Sequence, residues 1–454
     1  MNNKTRHVKL WLLMLIAVVF WTIGNGLYGD LSAKSEEAYE ELKIFSDVIE
    51  LIEREYVDEV DPNELIQKAI QGMVQSLDPH SSLLPVDAFE DLQIDTKGKF
   101  TGIGIHITMQ DGFVTVISPI EDTPAYKAGI KARDRIIKVD GKPAKDLREA
   151  VNMMRGPKGS KVEVTILREG VKKPLDFELI RDVIPIHSVK SVELKPGYGF
   201  IRLSNFTGTT TTEMKNALEK LENAQVPLKG LVLDLRNNGG GLLNQSIEVA
   251  DLFLDEGVIL SIKGRNKKNT KVFNATQSGK QRGYPLVVLI NGGSASASEI
   301  VAGALKDHKR ALILGTTSFG KGSVQTVETL RDGSGLKLTI ARYYTPSGNS
   351  IQAKGIEPDI VLQHRRIDPN ENNGREEGLL KEKDLVNHLE AEPDDEAEEV
   401  IDNEEGVKKK KKPSMQEVEF RVGPLTAEIL KTDNQVVRAL ELLEGYEIFK
   451  NLKS

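Results

Sequence analysis

The sequence predicts an α/β core with crossover helices, preceded by a small mixed β/α domain and an N-terminal helical region. Three observations predict it. Between Ile184 and Gln363 the β-rich runs "GFIRLSNF", "GLVLDLR", "PLVVLIN" and "ALILG" alternate with amphipathic helical stretches. Between Gly98 and Asp182 the apolar period is two, as in "TGIGIHIT" and "GFVTVIS". Earlier still, Ile44, Val48, Leu51 and Ile52 fall at helical spacing, and "PNELIQKAIQGMVQSL" repeats the pattern.

The 454 residues suit about three domains at roughly 150 residues each. From the N-terminus, Lys4, Arg6, His7 and Lys9 precede an apolar run from Leu10 to Leu27. A basic leader before such a run is the pattern of a signal peptide or a signal anchor over residues 1–30. The run is long enough to span a bilayer, and Leu31-Ser32-Ala33 is a poor cleavage site, so export with retention of the anchor is expected. The helical region is expected over 34–94, broken at Asp78-Pro79. Helical pairs of this kind suit packing between copies of the chain.

The mixed domain is expected over 95–183. "TPAYKAGI" reads as a short helix, "DRIIKVDG" as a strand into an Asp-Gly turn, and "DLREAVNMMR" as a second helix. "KVEVTILREG" and "PLDFELI" read as a hairpin. The core is expected over 184–366, a charged linker over 367–415 with five lysines at 408–412, and a C-terminal helical segment over 416–454 that docks back on the fold.

Composition narrows the chemistry. With no cysteine there is no disulfide, thiol nucleophile or cysteine metal site, and the seven histidines show no HExxH-like spacing. A net charge of -7 argues against nucleic acid as a partner.

The most informative stretch is "PLVVLINGGSASASEIVAGAL", a strand running through Asn291-Gly292-Gly293 into a helix. A serine there is exposed beside the free N–H groups of a helix start, where an oxyanion is stabilised. Ser294, Ser296 and Ser298 compete for that role, and ordinary capping competes with catalysis. The base is open too: His187 and His308 lie in the core, and Lys321 follows a strand in the glycine-rich "GTTSFGKGSVQ". Gly315 to Lys321 also spells most of a nucleotide-binding loop, but Gly322 replaces the magnesium-binding Ser/Thr. Ser318 and Lys321 spell S-x-x-K without a following KTG. Asp234 and Arg236 read as a structural ion pair.

Six motifs in order, "LDPHSSLL", "GKFTGIGIHI", "LDLRNNGGGLL", "NGGSASASEI", "FGKGSVQ" and "YYTPSGNSIQAKGIEPDI", resemble the carboxyl-terminal processing proteases over about residues 40–365. The resemblance implies an envelope serine endopeptidase with an inserted PDZ domain, a Ser–Lys dyad, and no metal or cofactor. Carried over residue by residue, it implies Ser296 as nucleophile, Lys321 as base and Gln325 as the residue orienting the lysine. The backbone N–H groups of Ala297 and of Gly240, within the 239–241 tract, become the oxyanion donors. Gly102, Ile103, Gly104 and Ile105 become the loop that binds a peptide C-terminus. The partners implied are protein substrates with free, apolar C-termini and the inner membrane, with the chain in the periplasm or on the periplasmic face of that membrane. Two other readings remain: an inactive PDZ adaptor, and a nucleotide-binding protein using residues 315–321.

Overall fold

The computed structural model describes residues 39–276, 281–367, 381–385, 387–390 and 425–452. The basic leader, the apolar run from Leu10 to Leu27 and the five lysines lie outside them. Among the described residues no helix is long and apolar enough to cross a membrane.

Among its described residues the N-terminal unit holds two helices, α1 (39–55) and α2 (Pro62–Gln75). Asp61 caps α2 by accepting the Asn63 N–H at 2.9 Å, and Pro62 occupies the first turn, where its missing N–H costs nothing. On α1 the apolar residues Leu42, Phe45, Val48 and Leu51 are exposed.

The second unit, from Leu77 on, contains both larger domains. The region expected to be helical also supplies a strand, β1 (Ser82–Leu84), before helix α3 (Val86–Lys97). Pro85 biases Leu84, the last residue of the strand, toward extended backbone. Strand β2 (Lys99–Gly102) then opens the inserted domain. Its sheet is built from β3 (Ile105–Gln110), β4 (Phe113–Pro119), β5 (Arg135–Val139), the short β6 (Lys142–Pro143), β7 (Lys161–Leu167) and β8 (Leu175–Ile180). The order is β3-β4-β5-β7-β8, so β3 is an edge strand. Helices α4 (Pro124–Lys127) and α5 (Leu147–Met154) complete the domain, and α5 packs beside β3. Its core is closed around Val114, Val116, Ile136, Val164 and Ile166, all fully buried. The chain leaves through β9 (Asp182–Pro185), which pairs with β2 as a two-stranded neck.

The core carries one six-stranded sheet. β10 (Val189–Lys195) and β11 (Tyr198–Leu203) form a hairpin. From β11 the sheet continues in parallel through β12 (Gly230–Asp234), β15 (Leu286–Ile290), β16 (Leu312–Gly315) and β19 (Ile360–Val361). Crossover helices α6 (Thr210–Glu222), α7 (Leu243–Asp251) and α8 (Ala297–Asp307) join these strands. Every residue of β12 and β15 is buried, which explains their unbroken apolar runs. A second, antiparallel sheet gathers β1, β13 (Val258–Lys263), β14 (Lys271–Asn274), β17 (Ser323–Thr329) and β18 (Gly335–Tyr344).

Beyond α9 (Ala427–Leu430), the C-terminal helix α10 (Asn434–Leu452) docks Val436, Ala439 and Leu443 onto Phe200, Val232, Val287 and Leu289. Gly230 makes room for it, since a Cβ there would sit 3.2 Å from Leu443. Truncating Leu443 to alanine removes about 2–5 kcal/mol of stability.

Candidate active site

Strand β15 ends in a turn that buries two of the three competing serines. Ser294 Oγ donates to the Leu235 carbonyl at 2.8 Å and accepts the Asn291 N–H at 3.0 Å. Ser298 Oγ donates to the Asn238 carbonyl at 2.8 Å. Both are fully buried and act as fasteners between this turn and the 235–241 loop. Ser296 is different. It is half-exposed, and its backbone stands at φ 56°, ψ -114°, a region that costs an L-residue about 1–3 kcal/mol. Its N–H donates to Glu299 Oε2 at 2.8 Å, and its hydroxyl is hydrogen-bonded to that of Tyr343. At the first position of α8, the Ala297 N–H has no partner within the helix.

Glu299 links the serine to the lysine loop. Fully buried, it accepts four bonds: Ser318 Oγ at 2.6 Å and Gly320 N–H at 2.7 Å on Oε1, Lys321 N–H at 3.0 Å and Ser296 N–H at 2.8 Å on Oε2. One carboxylate therefore fixes the backbones of both Ser296 and Lys321. Burial raises its pKa to about 7, although all four donors favour the anion.

Lys321 sits in a pocket walled by several elements. Burial is the chief cause that lowers its pKa to about 8, and Lys337 on β18 adds repulsion. The carboxylates of Glu382, Glu299 and Asp78 pull the other way. Asp78 is held in its turn by the His80 N–H at 2.8 Å, the Ser81 N–H at 2.9 Å and the Ser81 hydroxyl at 2.7 Å. The Tyr343 hydroxyl, buried on β18, donates to the Lys321 carbonyl while touching Ser296.

The same loop settles the two rival motifs. After Gly322 the chain enters β17 and not a helix, so no helix N-terminus stands where a nucleotide phosphate would need one. Ser318 is buried between Glu299 and the Ile356 N–H, a structural position.

Comparison with known sequences now decides the family. The profile for Peptidase family S41 matches residues 197–362, that for the PDZ domain residues 101–179, and that for the activating protease CtpB N-terminal domain residues 26–87. A carboxy-terminal-processing protease of Bartonella bacilliformis is 46% identical over 363 residues, covering 77% of this chain and 83% of the relative. This chain belongs to the carboxy-terminal processing proteases. The protease CtpA of Bacillus subtilis is 37% identical over 369 residues, covering 79% of this chain and 78% of its own. Among solved structures, a photosystem II D1 C-terminal processing protease aligns with TM-score 0.41 and 34% identity over 70% of this chain and 92% of its own. By its family profiles and sequence relatives the protein is a serine-type processing peptidase carrying a PDZ domain.

Within this protease the sequence-derived residues fall as follows. Ser296 and Lys321 converge on Glu299. Gln325, half-buried on β17, donates to Ser323 Oγ at 2.9 Å and Thr339 Oγ1 at 3.4 Å; among the described residues none of its bonds reaches Lys321. Gly240 lies against the serine turn, where a Cβ would come within 2.9 Å of Ser296 Cβ, and its φ of +102° suits glycine. Its N–H, however, donates to Asn238 Oδ1 at 2.9 Å and not toward an acyl oxygen. A cavity of about 340 Å³ opens beside it, lined by Leu92, Asp95 and Phe206 among others.

Gly102, Ile103, Gly104 and Ile105 lie far along the chain from Ser296 and Lys321, at the entry to edge strand β3. Ile103 is buried in the PDZ core, and a Cβ on Gly104 would strike Thr123 at 2.3 Å. Asp234 and Arg236 form an ion pair at 2.8 Å, extended to Asp433 at 2.9 Å and Gln435 at 2.7 Å on the C-terminal helix side.

Sequence reasoning missed Tyr343, Asp78 as a pocket wall, and Glu382. Part of the stretch read as solvated linker is packed: Glu382 is fully buried. "YYTPSG" and "LDPH" were visible as motifs, but nothing in them says that they meet the lysine.

Proposed function

We propose that this protease cleaves exported proteins near their free C-termini by acylation at Ser296, with Lys321 as general base. The single observation carrying this reading is Glu299, whose one carboxylate oxygen holds the N–H groups of Ser296 and Lys321 together. Lys321 Nζ takes the Ser296 proton as Oγ attacks the scissile carbonyl. The resulting ammonium then protonates the leaving amine, and a water repeats the sequence on the acyl-enzyme. The oxyanion is met by the Ala297 N–H and by the Gly240 N–H once the latter turns from Asn238.

Substrate capture follows from the PDZ edge. A peptide adds as a strand to β3 against α5, with its carboxylate on the N–H groups of residues 102–105. The apolar run from Leu10 to Leu27 holds the protease at the periplasmic face of the inner membrane, and the exposed apolar face of α1 suits pairing with a second copy. An active-site-directed fluorophosphonate tests the chemistry: it should label Ser296, and labelling elsewhere, or none, would refute it. Amidating the C-terminus of a peptide substrate tests capture: KM should rise at least tenfold, and an equal KM would remove the PDZ loop from recognition.

A further inference from the structure

The described piece of the linker, 381–385 and 387–390, lies between acidic stretches of the sequence yet brings a carboxylate into the active site. Glu382 has no exposed surface. Its oxygens stand 2.7 and 2.6 Å from His80 Nε2, and Oε1 also accepts the Gln352 side-chain N–H at 2.9 Å. Gln352 in turn accepts the Gly322 N–H through its own Oε1 at 2.9 Å, and donates to the Leu389 carbonyl at 3.1 Å. The Glu382 N–H donates to the Phe319 carbonyl at 3.1 Å. The lysine loop is therefore gripped on both sides of Lys321, directly at residue 319 and through Gln352 at residue 322.

We propose that Glu382 is a positioning residue of the protease, which makes its segment, 381–385, a working part of the active site and not a tether. The inference rests on Lys321 being the base. A buried carboxylate is costly unless paired and hydrogen-bonded, and here its partners are His80 and Gln352, while the backbone N–H of the same residue holds the lysine loop. Glu382 also acts on Lys321 through space, favouring the ammonium form, alongside Asp78 before β1 and Glu299 on α8, and against Lys337 on β18.

Two substitutions separate holding from mere folding. Glu382→Ala removes the side-chain hold on His80 and Gln352 and leaves only the backbone bond to Phe319; Glu382→Gln keeps an acceptor for His80 and Gln352 but removes the charge. The experiment is steady-state cleavage of one peptide from pH 6 to 10 by the full chain, both variants and Lys321→Ala, with Tm recorded for each. The expected result is a kcat at least tenfold lower for Glu382→Ala with KM within twofold, and a rising pH limb displaced downward for Glu382→Gln. If both variants keep the parent kcat and limb, whatever their Tm, Glu382 is structural and the proposal is overturned. An active Lys321→Ala variant would overturn the dyad and this proposal together, whereas an inactive one with unaltered Glu382 variants would overturn this proposal alone.

Discussion

Two buried clusters of charge lie in the protease core, and they are built in opposite ways. Around Asp234 each charge meets its opposite directly: Arg236 at 2.8 Å, Arg202 at 3.0 Å, with Asp433 on the far side of Arg236 at 2.9 Å. Those pairings push the Asp234 pKa down and the Arg236 pKa up, away from neutrality. Around Glu299 the donors are backbone N–H groups and a hydroxyl, and among the described residues no carboxylate comes within ion-pair distance of Lys321 Nζ. Burial then wins, drawing Lys321 down to about 8 and Glu299 up to about 7. The Asp234 cluster, paired charge against charge, holds the fold, whereas Lys321, buried without such a partner, is drawn toward neutral pH.

The two clusters should differ most sharply at the proposed dyad. Ser296→Ala, Lys321→Ala and Lys321→Arg should each cut kcat by about ten-thousandfold or more while the protein stays folded, as followed by active-site titration and circular dichroism. The arginine variant is the informative one, since a guanidinium keeps its proton. Measurable turnover by it would take the lysine out of the mechanism.

In the paired cluster the same kind of truncation should act on stability instead. Arg236→Ala leaves Asp234 and Asp433 buried with fewer partners, so about 3–5 kcal/mol of unfolding free energy should be lost in a denaturant titration. Below the unfolding range, kcat should stay close to the parent value. A large kcat loss in a fully folded Arg236→Ala protein would blur the distinction between the clusters.

Glu299→Gln sits between these cases. The glutamine amide turns two hydrogens toward groups that are themselves donors, which loosens the Ser296 and Lys321 backbones and should lower kcat about a hundredfold. A pH signature accompanies it. Because the folded pKa of Glu299 is raised above its ordinary value, its ionisation should erode stability as pH rises from about 4.5 through about 7. That erosion should be missing from the glutamine variant when Tm is followed across the same window.

How much of this could be read from the chain depended on the distance over which each feature acts. The PDZ hairpins, the buried parallel strands and the C-terminal helix are written in local periodicity, and the structure reproduces them. Local spacing left Ser296 as one of three serines and only the family resemblance singled it out, because what separates it from Ser294 and Ser298 is a pair of bonds to the 235–241 loop, some sixty residues away. Tyr343 and Asp78 reach the lysine pocket through pairing of β1, β17 and β18, which no local pattern announces. Glu382 was hidden by the acidity of its surroundings: composition spoke for solvent, while its carboxylate has partners at His80 and Gln352.

The smallest expected effect sharpens the reactive cluster. Gln325 bonds to Ser323 and Thr339 beside the lysine loop, so Gln325→Glu adds a carboxylate near Lys321 without removing a wall. The rising pH limb should move upward by a fraction of a unit, with kcat at high pH little changed. An unmoved limb would separate Gln325 from the base.

In the proposed mechanism burial prepares Lys321 to take the serine proton, and that step sets the pH dependence of kcat/KM. A free lysine titrates near about 10.4, and a histidine near about 6.5. With one peptide and the unmodified protein, kcat/KM should rise along a single limb with its midpoint at about 8 and vanish at every pH in Lys321→Ala. A midpoint at the free-lysine value, or a limb that survives in Lys321→Ala, would contradict it.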